Sequence, residues 1–192
     1  MSGIFDEDYY RSNNYSDYLQ REDRYVKLAK EITDALDAFN LNLGPVLDFG
    51  CAVGFLINGL QKTGHTVDGV DVSTYAVNTC LDKGYNVNLR PDYTKEYGTV
   101  YALDVLEHMP TEELNEFLDN IKTEIMVFRV PVCAREGENY VLEVSRKDPS
   151  HVICWTKDQW KKVLESKGFT CIDLNLSTIY TSEGVYAGIA IK

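Results

Sequence analysis

Val46-Leu47-Asp48-Phe49-Gly50-Cys51-Ala52-Val53-Gly54-Phe55 is the stretch whose reading decides the fold. An apolar run opened by Pro45 reaches an acidic residue and then sets small residues at Gly50, Ala52 and Gly54. A short run of this kind, Pro45 to Gly50, suits a strand covered on both faces. The stretch after it, Val53 to Lys62, has helical character. Small side chains let the backbone approach a ligand closely, and the start of a helix presents amides with no internal partner. A second strand is read from His65 to Asp71, then a helix capped by Ser73 and stopped by Gly84. Strand, helix, strand, helix predicts a parallel sheet.

Working outward, an amphipathic helix from about Ser16 to Phe39 precedes this unit, with Val26, Leu28, Ala29, Ile32, Ala35, Leu36 and Phe39 at helical spacing. Beyond it come strands near Tyr85 to Leu89, Thr99 to Asp104 and Glu124 to Val130. Pro110 and Thr111 open a helix between the last two, with Glu112 and Glu113 in its favourable first turn. Thr156 with Gln159 three residues later predicts a capping box, with Trp155 and Trp160 placed as a hydrophobic staple. Two final strands, Phe169 to Leu176 and Gly184 to Ile191, are expected to pair antiparallel at one edge of the sheet.

The chain has 192 residues, room for one sizeable core, and is read as a single domain. No apolar run approaches membrane-spanning length, and the polar, acidic start lacks the features of a secretory signal. The expected location is cytoplasmic. Five cysteines, Cys51, Cys80, Cys133, Cys154 and Cys171, show no metal-knuckle spacing and suit reduced, buried thiols. A formal net charge of -11 disfavours nucleic-acid backbones, and no basic cluster offsets it.

Asp71 ends the second strand about one strand-helix-strand unit beyond the small-residue turn, where a carboxylate accepts ribose hydroxyls. A dinucleotide site wants Gly or Ala at the position of Phe55, so its bulk argues against a nicotinamide cofactor. Asp48 suits a cofactor with a cationic amino-acid end.

On these residues the chain resembles the class I S-adenosylmethionine-dependent methyltransferases, in particular the small type 11 and type 23 families. Their first motif, an acidic residue followed by three glycines at alternate positions, stands here as Asp48, Gly50, Ala52 and Gly54, with the middle glycine replaced. The similarity runs from Leu41 to Lys192. It implies an α/β Rossmann-like three-layer sandwich whose mostly parallel seven-stranded sheet has the order 3-2-1-4-5-7-6 and an antiparallel last strand. Residues 41–192 would form that core; outside the resemblance, residues 1–40 are read as a helical lid segment, with Tyr9, Tyr10, Tyr15, Tyr18, Arg21 and Arg24 folding over the cofactor, and with packing as the plainer role of the tyrosines. The implied cofactor is S-adenosyl-L-methionine, held by Asp48, Gly50, Cys51, Ala52, Gly54 and Phe55, by Asp71, Val72 and Ala76, and by Asp104, Val105 and Leu106 after the fourth strand. Pro91 to Tyr93 resembles the adenine surroundings. Cys51 is expected to contribute backbone and no chemistry of its own, since no basic partner is near.

Catalysis falls to His108, after the fourth strand, and His151, in the long connection after the fifth, each of which has the plainer alternative of bonding loop backbone. Asp104, Glu107, His108 and His151 resemble the metal ligands of some O-methyltransferases. Asp104 stands where those families have Glu, and the Asp-Val-Leu-Glu-His stretch is widespread in relatives without a metal, so no metal is assigned. The expected acceptor is a small molecule methylated on O, N or C, bound by a monomer or homodimer. The alternatives are a non-catalytic cofactor-binding or scaffold protein, and a protein or RNA methyltransferase that needs a partner subunit.

Overall fold

The computed structural model describes residues 5–11, 17–41 and 44–192. Seven strands form one sheet in the order β3-β2-β1-β4-β5-β7-β6, as the family resemblance implied. They are β1 (Val46–Phe49), β2 (Val67–Val70), β3 (Asn86–Asn88), β4 (Glu96–Leu103), β5 (Lys122–Pro131), β6 (Thr170–Asp173) and β7 (Val185–Ile191). The helices are α1 (Glu22–Ala38), α2 (Phe55–Lys62), α3 (Thr74–Asp82), α4 (Thr111–Asn120), α5 (Glu143–Arg146) and α6 (Lys157–Ser166). None of the described helices is long and apolar enough to cross a membrane. Two compact units divide the chain, Met1–Asp92 with Tyr97–Val100, and Tyr93–Glu96 with Tyr101–Lys192.

In the first unit β1, β2 and β3 pair in parallel, with Val46 opposite Val67 and Asp68 opposite Asn86. All four residues of β1 are buried, as a strand covered on both faces requires. Helix α1 turns Leu28, Ala29, Ile32 and Leu36 inward, and packs against α2 through Gly59. A Cβ at Gly59 would lie 2.6 Å from the Ala29 Cβ and 3.0 Å from the Tyr25 carbonyl oxygen, so only glycine permits this approach. Helix α1 starts later than its periodicity predicts. Asp17 pairs with Arg21, Tyr18–Gln20 forms a separate 3-10 turn, and Tyr18 is buried there among aromatic rings. Ser16, the expected first helical residue, and Tyr15 lie outside the described residues. Ser73 caps α3, its hydroxyl accepting from the Ala76 N–H at 3.1 Å. Strand β4 begins before Thr99 because Tyr97 is buried and its hydroxyl donates to Asp68 Oδ2 at 3.1 Å.

The second unit is built on the antiparallel β5–β7 and β6–β7 ladders, with Phe128 opposite Gly188 and Ile172 opposite Ile189. Phe128 and Tyr186 meet edge to face at 4.9 Å. Helix α4 buries Leu114, Phe117 and Leu118. The expected capping box is present on α6: Gln159 N–H donates to Thr156 Oγ1 at 3.2 Å, and Thr156 N–H donates to Gln159 Oε1 at 2.9 Å. Trp155 and Trp160 stand 4.9 Å apart beside it. Short α5 has no counterpart in the sequence reading; it lies in the connection that carries His151.

Removal of the Thr156 hydroxyl leaves a first-turn amide of α6 without its partner. Thr156→Ala is expected to lower stability by about 1 kcal/mol in urea denaturation, with the slope against denaturant unchanged.

Candidate functional site

The first unit gathers nine of the expected cofactor residues around one carboxylate. Asp71 follows β2 and is 8% exposed. Its Oδ2 accepts the Ala52 N–H at 2.8 Å and its Oδ1 accepts the Ser73 N–H at 2.8 Å. The turn after β1 is anchored to β2 as well, since Gly50 N–H and Cys51 N–H both donate to the Val70 carbonyl, at 2.8 and 3.0 Å. Asp71 therefore joins the end of β2, the small-residue turn and the start of α3.

The turn itself is bent by left-handed backbone at Gly50, Ala52 and Gly54, with φ of 80°, 47° and 82°. A Cβ at Gly54 would lie 2.8 Å from the Tyr85 ring and 2.9 Å from Cys80 Sγ, so both conformation and space require glycine. Ala52 adopts the same region with a side chain, at a cost of roughly 1 to 2 kcal/mol, and is held there by its bond to Asp71. The extra methyl is accommodated.

Asp48, at the end of β1, is fully enclosed, and its Oδ2 has no hydrogen-bond partner among the described residues. Burial, helped by the nearby charge of Asp71, pushes its carboxyl up to about 8. Burial also raises Asp71, although the two backbone donors oppose that shift. Val72 presents an apolar side chain 49% exposed directly after the buried Asp71, and Ala76 is buried on α3. Phe55 is core: its ring packs at 5.5 Å from Tyr18 and 6.0 Å from Tyr25, with the Lys83 ammonium 5.0 Å from its centre. Cys51 is buried, and its thiol is held well above the usual range by its Cys80 neighbour and by burial, in keeping with no chemistry of its own.

The second unit brings His108 and His151 together, with ring centres 4.7 Å apart. Two backbone bonds do this over a long sequence distance, because Val152 N–H and Ile153 N–H both donate to the Glu107 carbonyl, at 2.9 and 3.0 Å. His151 Nδ1 lies 3.0 Å from the Ser145 carbonyl oxygen, which fixes the neutral ring with its proton there and its Nε2 lone pair inward. That Nε2 is 3.9 Å from Glu107 Oε1 and 3.8 Å from Asp148 Oδ2. The His108 ring bonds the Ser150 backbone. Burial, with His151 beside it, pushes His108 down to about 4, and burial lowers His151 too. Burial and the neighbouring Asp104 raise Glu107 well above the carboxylate range. Asp148 is stabilised as the anion: burial opposes this, but bonds from the Ser150 hydroxyl and amide outweigh it.

Asp104 takes left-handed backbone, φ 54°, and is captured by Arg129, which meets its carboxylate from one side while the Arg129 carbonyl accepts the Asp104 N–H at 2.8 Å. Leu106 is fully buried and Val105 half-buried, so this turn offers backbone more than side chains. Arg129 and Asp148 were not singled out from the sequence. Asp148 carried a readable sign, the Asp-Pro-Ser-His spacing that precedes His151; Arg129, isolated on a strand, carried none.

The family described as Methyltransferase domain, Methyltransf_23, matches residues 20–174. No curated protein matches the chain. Among solved structures it is similar to a SAM dependent methyltransferase from Archaeoglobus fulgidus, at 21% identity and a TM-score of 0.64 over 94% of this chain and 100% of that one. It is also similar to magnesium protoporphyrin IX methyltransferase from Synechocystis PCC 6803 with bound SAH, at 21% identity and a TM-score of 0.65 over 96% of each chain. A glycopeptide N-methyltransferase complexed with S-adenosyl-L-methionine is similar at 14% identity and a TM-score of 0.61 over 86% of each chain. With one family matching most of its length, the chain belongs to the methyltransferase domain family.

Proposed function

We propose that the chain is a cytoplasmic S-adenosyl-L-methionine-dependent methyltransferase acting on a small-molecule acceptor through O, N or C. The observation that carries this is Asp71, a buried carboxylate locked by two backbone amides at the rim of a small-residue turn. Each of its oxygens keeps a lone pair for a ribose hydroxyl. Asp48 supplies a second buried carboxylate for a cationic amino-acid end, and exposed Val72 an apolar face for a base. The names of the similar structures support the same class, one acting on magnesium protoporphyrin IX and one on a glycopeptide. A net charge of -11 favours a metabolite over a nucleic acid.

When bound, the cofactor supplies an activated methyl carbon for in-line displacement. The protein's part is then positioning and proton handling. At about 4, His108 is neutral at pH 7 and too weak a base to ionise an acceptor hydroxyl beforehand. It suits acceptance of a hydrogen bond from the acceptor, and of its proton once methyl transfer has made that proton strongly acidic. His151, turned inward by Ser145, serves the same pair.

A second reading adds a divalent ion to that pair. Glu107, His108 and His151 each offer a ligand atom, all within 4.8 Å of one another. Glu107 is 1% exposed, and its Oε2 has no partner among the described residues. These three fit a metal; Asp104, engaged by Arg129, does not. An ion held there would lower the pKa of an acceptor hydroxyl.

Isothermal titration with S-adenosylhomocysteine tests the main proposal. Wild type is expected to bind at micromolar levels and Asp71→Ala more weakly by about 1 to 3 kcal/mol; unchanged affinity in the variant removes Asp71 from the site. Asp48 gives a pH signature. Its folded carboxyl titrates near 8 and an unfolded one near 4, so only the unfolded chain ionises between them and stability falls as pH rises across that window. Urea midpoints of the unliganded protein should decline from about pH 4 towards 8, and Asp48→Asn should flatten the decline. For the metal, manganese or zinc is expected to raise the melting temperature of wild type but not of Glu107→Gln; equal shifts in both would remove Glu107 as a ligand.

A further inference from the structure

Arg129 is a charge set into a strand that is otherwise closed to water. Its neighbours on β5, Met126, Val127, Phe128 and Val130, are fully buried, and its own side chain is 15% exposed. An enclosed guanidinium is unfavourable unless its donors are taken up. Here Nε and Nη2 both donate to the Tyr180 carbonyl, at 3.0 and 2.8 Å, and Nη1 donates to the Asp104 carboxylate. Only the planar fork of arginine spreads its donors in this way; a lysine ammonium is a point charge. One side chain thus joins the end of β4 to the loop between β6 and β7.

The backbone already attaches Asp104 to β5, since its N–H donates to the Arg129 carbonyl at 2.8 Å. That bond does not set the direction in which the chain departs. Asp104 departs through left-handed backbone, φ 54°, which a residue with a side chain adopts at a cost. Glycine would adopt it freely but would offer the guanidinium nothing to hold. Val105 follows, and then the 3-10 turn Leu106–His108, closed by His108 N–H to the Val105 carbonyl at 3.1 Å and by Met109 N–H to the Leu106 carbonyl at 3.2 Å. So short a turn takes its direction from the residue that leads into it. Glu107, in its middle, receives the Val152 and Ile153 amides and so carries His151. The conformation of Asp104 is therefore passed to both imidazoles.

We propose that Arg129 is a positioning residue of the acceptor site: by holding Asp104 in left-handed backbone it aims the Leu106–His108 turn, and with it the His108–His151 pair. A purely stabilising role would be met as well by an apolar residue at 129 and a glycine at 104. The proposal rests on the reading of the two histidines as the groups that meet the methyl acceptor.

The test is NMR of the imidazoles. The chain has three histidines, and His65, in the first unit, serves as the control. Long-range 1H–15N spectra at neutral pH are compared for wild type, Arg129→Met, Asp104→Asn and the double variant, beside melting curves. Each single variant is expected to shift the His108 and His151 signals and to leave those of His65 in place. The double variant should shift them no further than Arg129→Met does, because both substitutions break one contact. Unmoved His108 and His151 signals in Arg129→Met overturn the proposal, and a lowered melting temperature beside them assigns Arg129 to stability alone. Shifts that add in the double variant overturn it as well, by giving the two residues separate effects. Should Arg129→Met not fold, Asp104→Asn, which keeps the shape and removes the charge, decides by the same signals. Failure of wild type to bind S-adenosylhomocysteine would instead remove the reading on which the proposal rests.

Discussion

The first unit depends on where the Asp71 carboxylate is spent. Its two short bonds to backbone amides join the turn after β1 to the end of β2 and the cap of α3, about 20 residues further along the chain. Charge-assisted bonds to backbone N–H are among the stronger ones available inside a protein. They are needed here because Ala52 is held in a conformation that an alanine leaves readily when nothing restrains it. Strain at the turn and burial of a carboxylate are each unfavourable alone. Together, the carboxylate's need for donors and the turn's need for a restraint answer one another.

The second unit solves a similar problem with backbone rather than a side chain. The Glu107 carbonyl receives two amides from the far connection, and that junction sets His151 against His108. Tyr140 reinforces it, its hydroxyl donating to the Ile153 carbonyl at 2.6 Å and its ring standing 5.2 Å from His151. Each imidazole is then oriented by a backbone carbonyl, which leaves one nitrogen of His151 committed to the loop and the other turned toward Glu107 and Asp148. Such outer bonds are what give a histidine a defined role as acceptor or ligand. Backbone bonding of the two rings thus leaves nitrogen positions on them that the loop does not use.

How much of this was legible in the sequence follows from the range of the interactions. Local signals survived: the Ser73 cap, the Thr156 box and the alternation of strand and helix are set by residues a few positions apart. The strand order came from resemblance, since periodicity predicts strands but not their neighbours. What could not be read depends on partners far away. Tyr97 extends β4 because Asp68 awaits its hydroxyl, and α1 starts late because Tyr18 is drawn into an aromatic cluster. The capture of Asp104 by Arg129, 25 positions on, was equally out of reach of local patterns. The burial of the Phe55 ring against Tyr18 and Tyr25 depends on the same distant aromatic cluster.

Among the described residues two buried carboxylates remain incompletely satisfied, Asp48 in one unit and Glu107 in the other. Enclosed carboxylates short of donors destabilise a fold unless they are neutralised, and both are pushed toward the protonated form. A fold selected for stability alone would place apolar residues at such positions, as the strands around them do. A cation brought by a ligand reverses the balance, because the same low-dielectric surroundings that penalise an isolated carboxylate strengthen its attraction to a positive charge. A cation beside Asp48 would favour its ionised form and displace the carboxyl proton. The same holds of a cation beside Glu107. In both units an enclosed carboxylate oxygen has no hydrogen-bond partner among the described residues, and a cation or a proton is what such an oxygen takes.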